Sequence, residues 1–128
     1  MNILRPIDVE DEIRQGLSQY MTVYCRTLPA QYTTPCLTIT ATGGSTANTI
    51  DTFTVVLDAR AETDAEAFSL IRTAQGLLES LACSQFGALR SVVINSLANW
   101  GNDPARPDLK LCSLTALVTA HREEITIT

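Results

Sequence analysis

The side chains that could do chemistry in this chain are one histidine, four cysteines and two clusters of acids. His121 would have to act as the base of a Ser-His-Asp or Cys-His arrangement. It stands at the end of a strand-like run beside Arg122, Glu123 and Glu124, which is the setting of a surface residue. Cys25, Cys36, Cys83 and Cys112 are far apart and form no CxxC pair. A metal site would need closely spaced donors or a histidine cluster. Buried free thiols are therefore expected, with a Cys25–Cys36 disulfide as the alternative. Glu62, Asp64 and Glu66 gather at the start of a helix, where carboxylates serve the cap and the dipole. Asn99, Asn102, Asp103 and Asp108 lack the spacing and closing glutamate of a calcium loop. Gly43-Gly44 fits neither GxGxxG nor GxxxxGK[ST] and reads as a hairpin turn. No catalytic residue, cofactor or metal is expected.

The elements that would carry these residues follow from periodicity. A helix is predicted from about Asp8 to Tyr20, with Asp8 as cap and Glu10, Asp11 and Glu12 loading its first turn. Its apolar stripe of Val9, Ile13 and Leu17 is narrow, which places it on the edge of the body. Thr22–Thr27 reads as a short strand, followed by a loop bracketed by Pro29 and Pro35. From Cys36 to Thr42 the residues alternate, Leu37, Ile39 and Ala41 against Thr38, Thr40 and Thr42. Gly43 to Asn48 is predicted as a flexible hairpin connection, and Thr49–Ala61 as the returning strand, with Thr52 and Thr54 opposite Phe53 and Val55. Two neighbouring strands thus share a threonine face, either solvated or turned to a neighbouring subunit. Thr63-Asp64-Ala65-Glu66 spells a capping box for a helix over about 64–82, with a stripe of Phe68, Ile71, Ala74, Leu78 and Leu81. Cys83–Gly87 is predicted as a turn, and Ser91–Asn95 as a short buried strand. Asn99–Asp108 reads as a loop holding Trp100, and Leu109–Ala120 as a long final strand. Ile125-Thr126-Ile127 alternates again and could add an edge pairing.

At 128 residues the chain has the length of one domain, and 45% hydrophobic residues predict a packed core. Aromatic residues are only 5%, so that core must be built from Leu, Val, Ile and Ala. A net charge of −5, with nine basic residues among fourteen acids, argues against recognition of a phosphate backbone. Neither a signal-peptide run nor an apolar stretch of ~20 residues is present, so a soluble protein assembled in a cytoplasm is expected.

The serial order of these parts resembles the tail terminator family of long-tailed bacteriophages, also described as tail completion, minor capsid or neck proteins. The resemblance covers nearly the whole chain. It rests on an N-terminal helix, then a hairpin whose second strand ends Asp58-Ala59-Arg60-Ala61. A helix opening Thr63-Asp64-Ala65-Glu66-Ala67 and closing Leu77-Leu78-Glu79-Ser80-Leu81 follows. A short strand then leads to a loop from Trp100 to Pro104 with Arg106, and to a long last strand. The chain departs from the family after Arg106, where Pro107-Asp108-Leu109 replaces a frequent aromatic.

The resemblance implies an α+β fold, one domain with a mostly antiparallel sheet and two helices on one side. It further implies a homo-oligomeric ring, commonly a hexamer, in the virion neck. Such a ring caps the tail tube protein, joins it to the head connector or head-closure protein, and lets DNA pass through its lumen without sequence-specific binding. The acidic balance suits that lumen, because basic walls would hold phosphate. Candidate subunit or tube contacts are Gly43, Gly44, Ser45, Thr46 and Asn48 in the hairpin, Trp100, Asp103 and Arg106 in the loop, and Ile125 and Ile127 in the tail. Trp100 reads either as a lid on the local core or as a contact anchor. Two alternatives stand beside this reading: a head-side neck protein, and a small oligomeric α+β ligand-binding protein or enzyme with a pocket between subunits.

Overall fold

The computed structural model describes residues 1–85 and 87–128; Phe86, in the turn predicted after the second helix, lies outside the described residues. In chain order the elements are β1 (Asn2–Arg5), α1 (Val9–Leu17), β2 (Val23–Cys25), β3 (Cys36–Ala47), β4 (Ile50–Ala61), α2 (Asp64–Ala82), β5 (Leu89–Gly101), β6 (Lys110–Ala120) and β7 (Glu123–Thr126). The main sheet has the order β2-β3-β4-β6-β5, antiparallel except for β2 beside β3. β1 and β7 form a separate antiparallel ribbon. The fold is α+β, with α1 and α2 on one face of the sheet.

Alternation decides which face the helices cover. Leu37 and Ile39 from β3, Val55, Leu57, Ala59 and Ala61 from β4, and Cys112, Leu114, Ala116 and Val118 from β6 are all buried on that face. α2 meets them with Ala67, Ile71, Ala74 and Leu78. Small residues on both sides, Ala59 and Ala116 below and Ala67 and Ala74 above, bring the helix axis close to the strands. Thr63 caps α2 as its sequence predicts: the Glu66 amide donates to Thr63 Oγ1 at 3.2 Å. Its hydroxyl in turn donates to Glu66 Oε1 at 3.0 Å. α1 begins at its cap Asp8, whose carboxylate accepts from the Asp11 amide, and ends at Leu17, three residues before the predicted Tyr20. It does lie toward the β2–β3 side of the sheet, yet Ile13 and Leu17 are fully buried. The narrow stripe suffices because Gly16 lets α2 approach; a Cβ there would stand 2.6 Å from Leu81 Cδ1.

Several expectations are corrected. Gly43-Gly44 is not the hairpin turn but part of β3, just past a bulge between Ala41 and Gly43. The turn is Asn48-Thr49, with φ of 53° and 61°, the two-residue left-handed connection that matches strand twist. β5 is not a short buried strand: it runs thirteen residues along the sheet edge, through Trp100, and leaves Val93 57% exposed. Three register shifts interrupt its pairing with β6. Phe68 leaves the predicted apolar stripe and lies on the surface, its place taken by Ala67. The tail does pair, but with β1, a strand no periodicity had signalled. All four cysteines are free, so the Cys25–Cys36 bond does not form; Cys36 and Cys112 are buried, whereas Cys25 is half-buried and Cys83 exposed.

The threonine face is only partly solvated. Thr40, Thr52, Thr54, Thr115 and Thr119 are half-exposed there, but Thr38 is buried beneath the residue 102–109 loop and its anchors. No helix among the described residues is long and apolar enough to cross a membrane.

Candidate assembly surface

Three surface features draw together the candidate residues. The first is the distal half of the β3–β4 hairpin, from Gly43 to Ile50, exposed throughout. Its tip, residues 47–50, lies past the last β4–β6 pairing at Asp51↔Ala120, so the arm projects from the sheet. Gly44 is needed for its own reason: φ is +154°, and a Cβ would lie 2.0 Å from the Thr52 carbonyl oxygen. Gly44→Ala is therefore expected to cost about 2 kcal/mol, while Gly76→Ala, in open space on α2, is expected to be neutral or stabilising. Urea denaturation of the two variants checks this.

The root of the arm is locked by an ion pair between buried Asp51 and half-buried Arg122, residues 71 positions apart. Arg122 Nε and Nη2 each donate to the Asp51 carboxylate at 2.9 Å, a two-pronged contact. Thr46 Oγ1 donates to Asp51 Oδ1 at 2.7 Å across the hairpin. The Arg122 guanidinium first, and the Thr46 hydroxyl second, hold the Asp51 carboxyl below its ordinary value of 3.8. Because the folded value lies below the unfolded one, this stabilisation is complete above about pH 4 and is lost as pH falls through the folded value. Amide exchange protection at Thr46 and Asp51 is expected to hold from pH 7 to about 4 and to collapse below. In Arg122→Gln the acid-dependent step is expected to shrink, since only the Thr46 hydroxyl still holds the Asp51 carboxyl down. Beside the lock, Arg5 Nε donates to Glu123 Oε1 at 2.6 Å and fastens β1 to β7. Ile125 faces Ile3 in that ribbon and is half-buried, whereas Ile127 stays exposed with its amide donating to the Met1 carbonyl.

The second feature is the 102–109 loop, and here two expectations change. Asp103 is no free contact residue: Oδ2 accepts from Arg60 Nε at 3.2 Å, and Oδ1 accepts from the Ala105 amide at 3.0 Å. Arg60 also donates to the Thr38 hydroxyl, and neighbouring Asp58 accepts from Ser113. Arg106 is half-buried with its guanidinium carbon 5.1 Å from the Tyr32 ring centroid, tying this loop to the one after β2. Both residues staple loops across the sheet. Loop chemistry alone suggested exposed groups, because their partners lie far away in sequence.

The third feature is apolar. Trp100 is 54% exposed and so is no lid on the core; its ring packs on Phe68 with centroids 6.1 Å apart. Arg72 stands 5.2 Å over the other partner, Phe68. Leu97, 70% exposed, lies on the same strand three residues before Trp100, and Val93, 57% exposed, lies on the other face of β5. An exposed aromatic pair of this kind is the sort of surface that association covers.

Sequence reasoning missed Glu10, Asp51, Arg60 and Arg122 as organising groups. Glu10 is buried and closes the sheet edge: Oε2 accepts from the Ala41 amide at 2.7 Å, and Oε1 from Arg26 Nε at 3.1 Å. The available signal was charge inside β4, where Asp51, Asp58 and Arg60 interrupt an apolar strand. The remaining chemistry-bearing groups do not converge. His121 is exposed, its amide bonded to the Ala88 carbonyl. Burial pushes the Cys25, Cys36 and Cys112 thiols up, away from the reactive thiolate. Among the described residues no three His, Cys, Asp or Glu side chains are grouped to hold a metal ion. No protein-family model matches this chain, and no curated protein matches it in sequence.

Proposed function

We propose that this protein is a structural subunit of a phage neck, a tail terminator that closes the finished tail tube as a ring of about six copies and joins it to the head connector. The observation that supports this most is the hairpin arm, a projecting element whose root is fixed by the Asp51–Arg122 pair. A projecting arm stiffened at its base suits docking onto a preformed surface, because little freedom is lost on contact. The exposed Trp100–Phe68 pair on the opposite edge of the sheet supplies a second contact region. Two different contact surfaces on one subunit generate a ring when the rotation between copies closes.

In this reading the arm and the terminal ribbon meet the tail tube protein or neighbouring subunits, the opposite ring face meets the head connector, and DNA passes through the lumen. Particles lacking the chain are expected to carry tubes of uncontrolled length without heads, seen by electron microscopy. The purified protein is expected to give a discrete ring by native mass spectrometry and projection images. Deleting Ser45–Asn48 is expected to abolish both the ring and length control. Head-bearing tails of normal length without the protein would overturn the proposal.

A further inference from the structure

The two ends of the main sheet carry free strand edges that fit one another. On one side β2 pairs with β3 only from Leu37 to Ile39, and Glu10 closes the edge at Ala41. From Gly43 to Ala47 the outer edge of β3 is open, with no backbone bond outside the hairpin among the described residues. A groove of about 420 Å³ runs beside it, floored by Ala41 and Phe53 and walled by Pro6. On the other side β5 is the edge strand, and its register shifts divide it into two regular stretches, Ser91–Ile94 and Asn99–Gly101. Bulges normally blunt an edge against open-ended pairing. Here they confine the stretch that lies level with the open edge of β3 to a few residues.

Register and direction also agree. Across the sheet Gly43 lies in one row with Thr54, Leu117 and Val93; Gly44 with Phe53, Val118 and Val92; and Ser45 with Thr52, Thr119 and Ser91. The two free stretches therefore overlap in three rows, while Ile94 falls in the row of Ala41, whose amide Glu10 already takes. Successive antiparallel steps from β3 through β4 and β6 to β5 make β5 run opposite to β3. A copy displaced sideways would continue the same alternation. The side chains fit as well: Val92 and Val93 would face Gly44 and Gly43, which offer no side chain of their own and leave room for β-branched neighbours.

We propose that β5 of one copy, through Ser91–Val93, adds as an antiparallel strand to the free edge of β3 in the next copy, through Gly43–Ser45, so that the sheet continues around the assembly. This rests on the ring-forming reading above and names the surface that closes the ring. A three-residue edge match falls well below the ~1,600 Å² of a standard interface. The pairing holds where each copy uses both edges and the Trp100 region adds its contact.

The test joins Ser45→Cys and Ser91→Cys in a background of Cys25→Ser and Cys83→Ser. Within one copy these positions are three strand spacings apart, roughly 14 Å, too far for a disulfide. Between copies they would face each other at cross-strand distance. Mild oxidation of the full chain, at the concentration where native mass spectrometry finds the oligomer, is expected to give a reducible ladder on denaturing gels. Either single cysteine is expected to stop at dimer or monomer. A ladder with Ser45→Cys and Val93→Cys, in place of Ser45→Cys and Ser91→Cys, would overturn the row matching. Oligomers without any ladder would overturn the edge pairing and leave the ring standing. Monomer alone at every concentration would overturn both.

Discussion

Replacing Ile71 by alanine is expected to lower the unfolding free energy by about 3 kcal/mol, whereas Phe68→Ala is expected to cost about 1 kcal/mol or less. Both residues belong to the same apolar stripe in the sequence, so periodicity alone assigns them equal weight. Ile71 is wholly buried where α2 meets the sheet, so truncation removes three carbons and leaves a cavity that close-packed neighbours cannot fill. Phe68 keeps 41% of its surface exposed and loses mainly its contact with Trp100. Domains of this size are stable by about 5–15 kcal/mol, so the Ile71 variant should shift the urea midpoint visibly at an unchanged slope. Equal losses for the two variants would show that Phe68 belongs to the core.

Arg60→Ala is expected to cost about 2 kcal/mol, because it removes the donor shared by half-buried Asp103 and buried Thr38. The loss should appear in two places. Global stability falls in denaturant titration, and amide exchange rises in the 102–109 loop, which Arg60 fastens to the open face of the sheet. Asp103→Ala is expected to cost less, since Arg60 keeps its bond to the Thr38 hydroxyl, and the double variant should cost less than the sum of the singles. Full additivity would mean that the pair contributes nothing and that the Arg106–Tyr32 contact alone holds the loop.

If the ring reading holds, these variants also separate folding from assembly. Arg60 and Ile71 act inside one subunit, while Ser45 and Ser91 are exposed on the free edges of β3 and β5. Substitutions at Ser45 or Ser91 should therefore leave denaturation curves unchanged and alter only the oligomer.

Local chemistry specified much of this fold. α2 is read to the residue, from the Thr63 cap to Ala82, because a capping box, a 3.6-residue stripe and the absence of helix breakers all agree. The buried faces of β3, β4 and β6 follow equally from alternation, since a period of two fixes which side chains share a face. What alternation leaves open is which strands are neighbours and where each one ends. β5 looked short and buried because Val92, Val93 and Ile94 are apolar, but its place at the sheet edge exposes one side and lets pairing run on through bulges to Trp100. Gly43-Gly44 looked like a turn because glycine marks turns more often than bulges; the left-handed pair Asn48-Thr49 closed the hairpin instead. The assembly surface was legible as a set of exposed segments but not as a geometry. Asp51 finds Arg122, Arg60 finds Asp103 and β1 finds β7 across 71, 43 and more than a hundred residues. Such pairings depend on the order of strands in the sheet, a property of the folded chain that no short window of sequence contains.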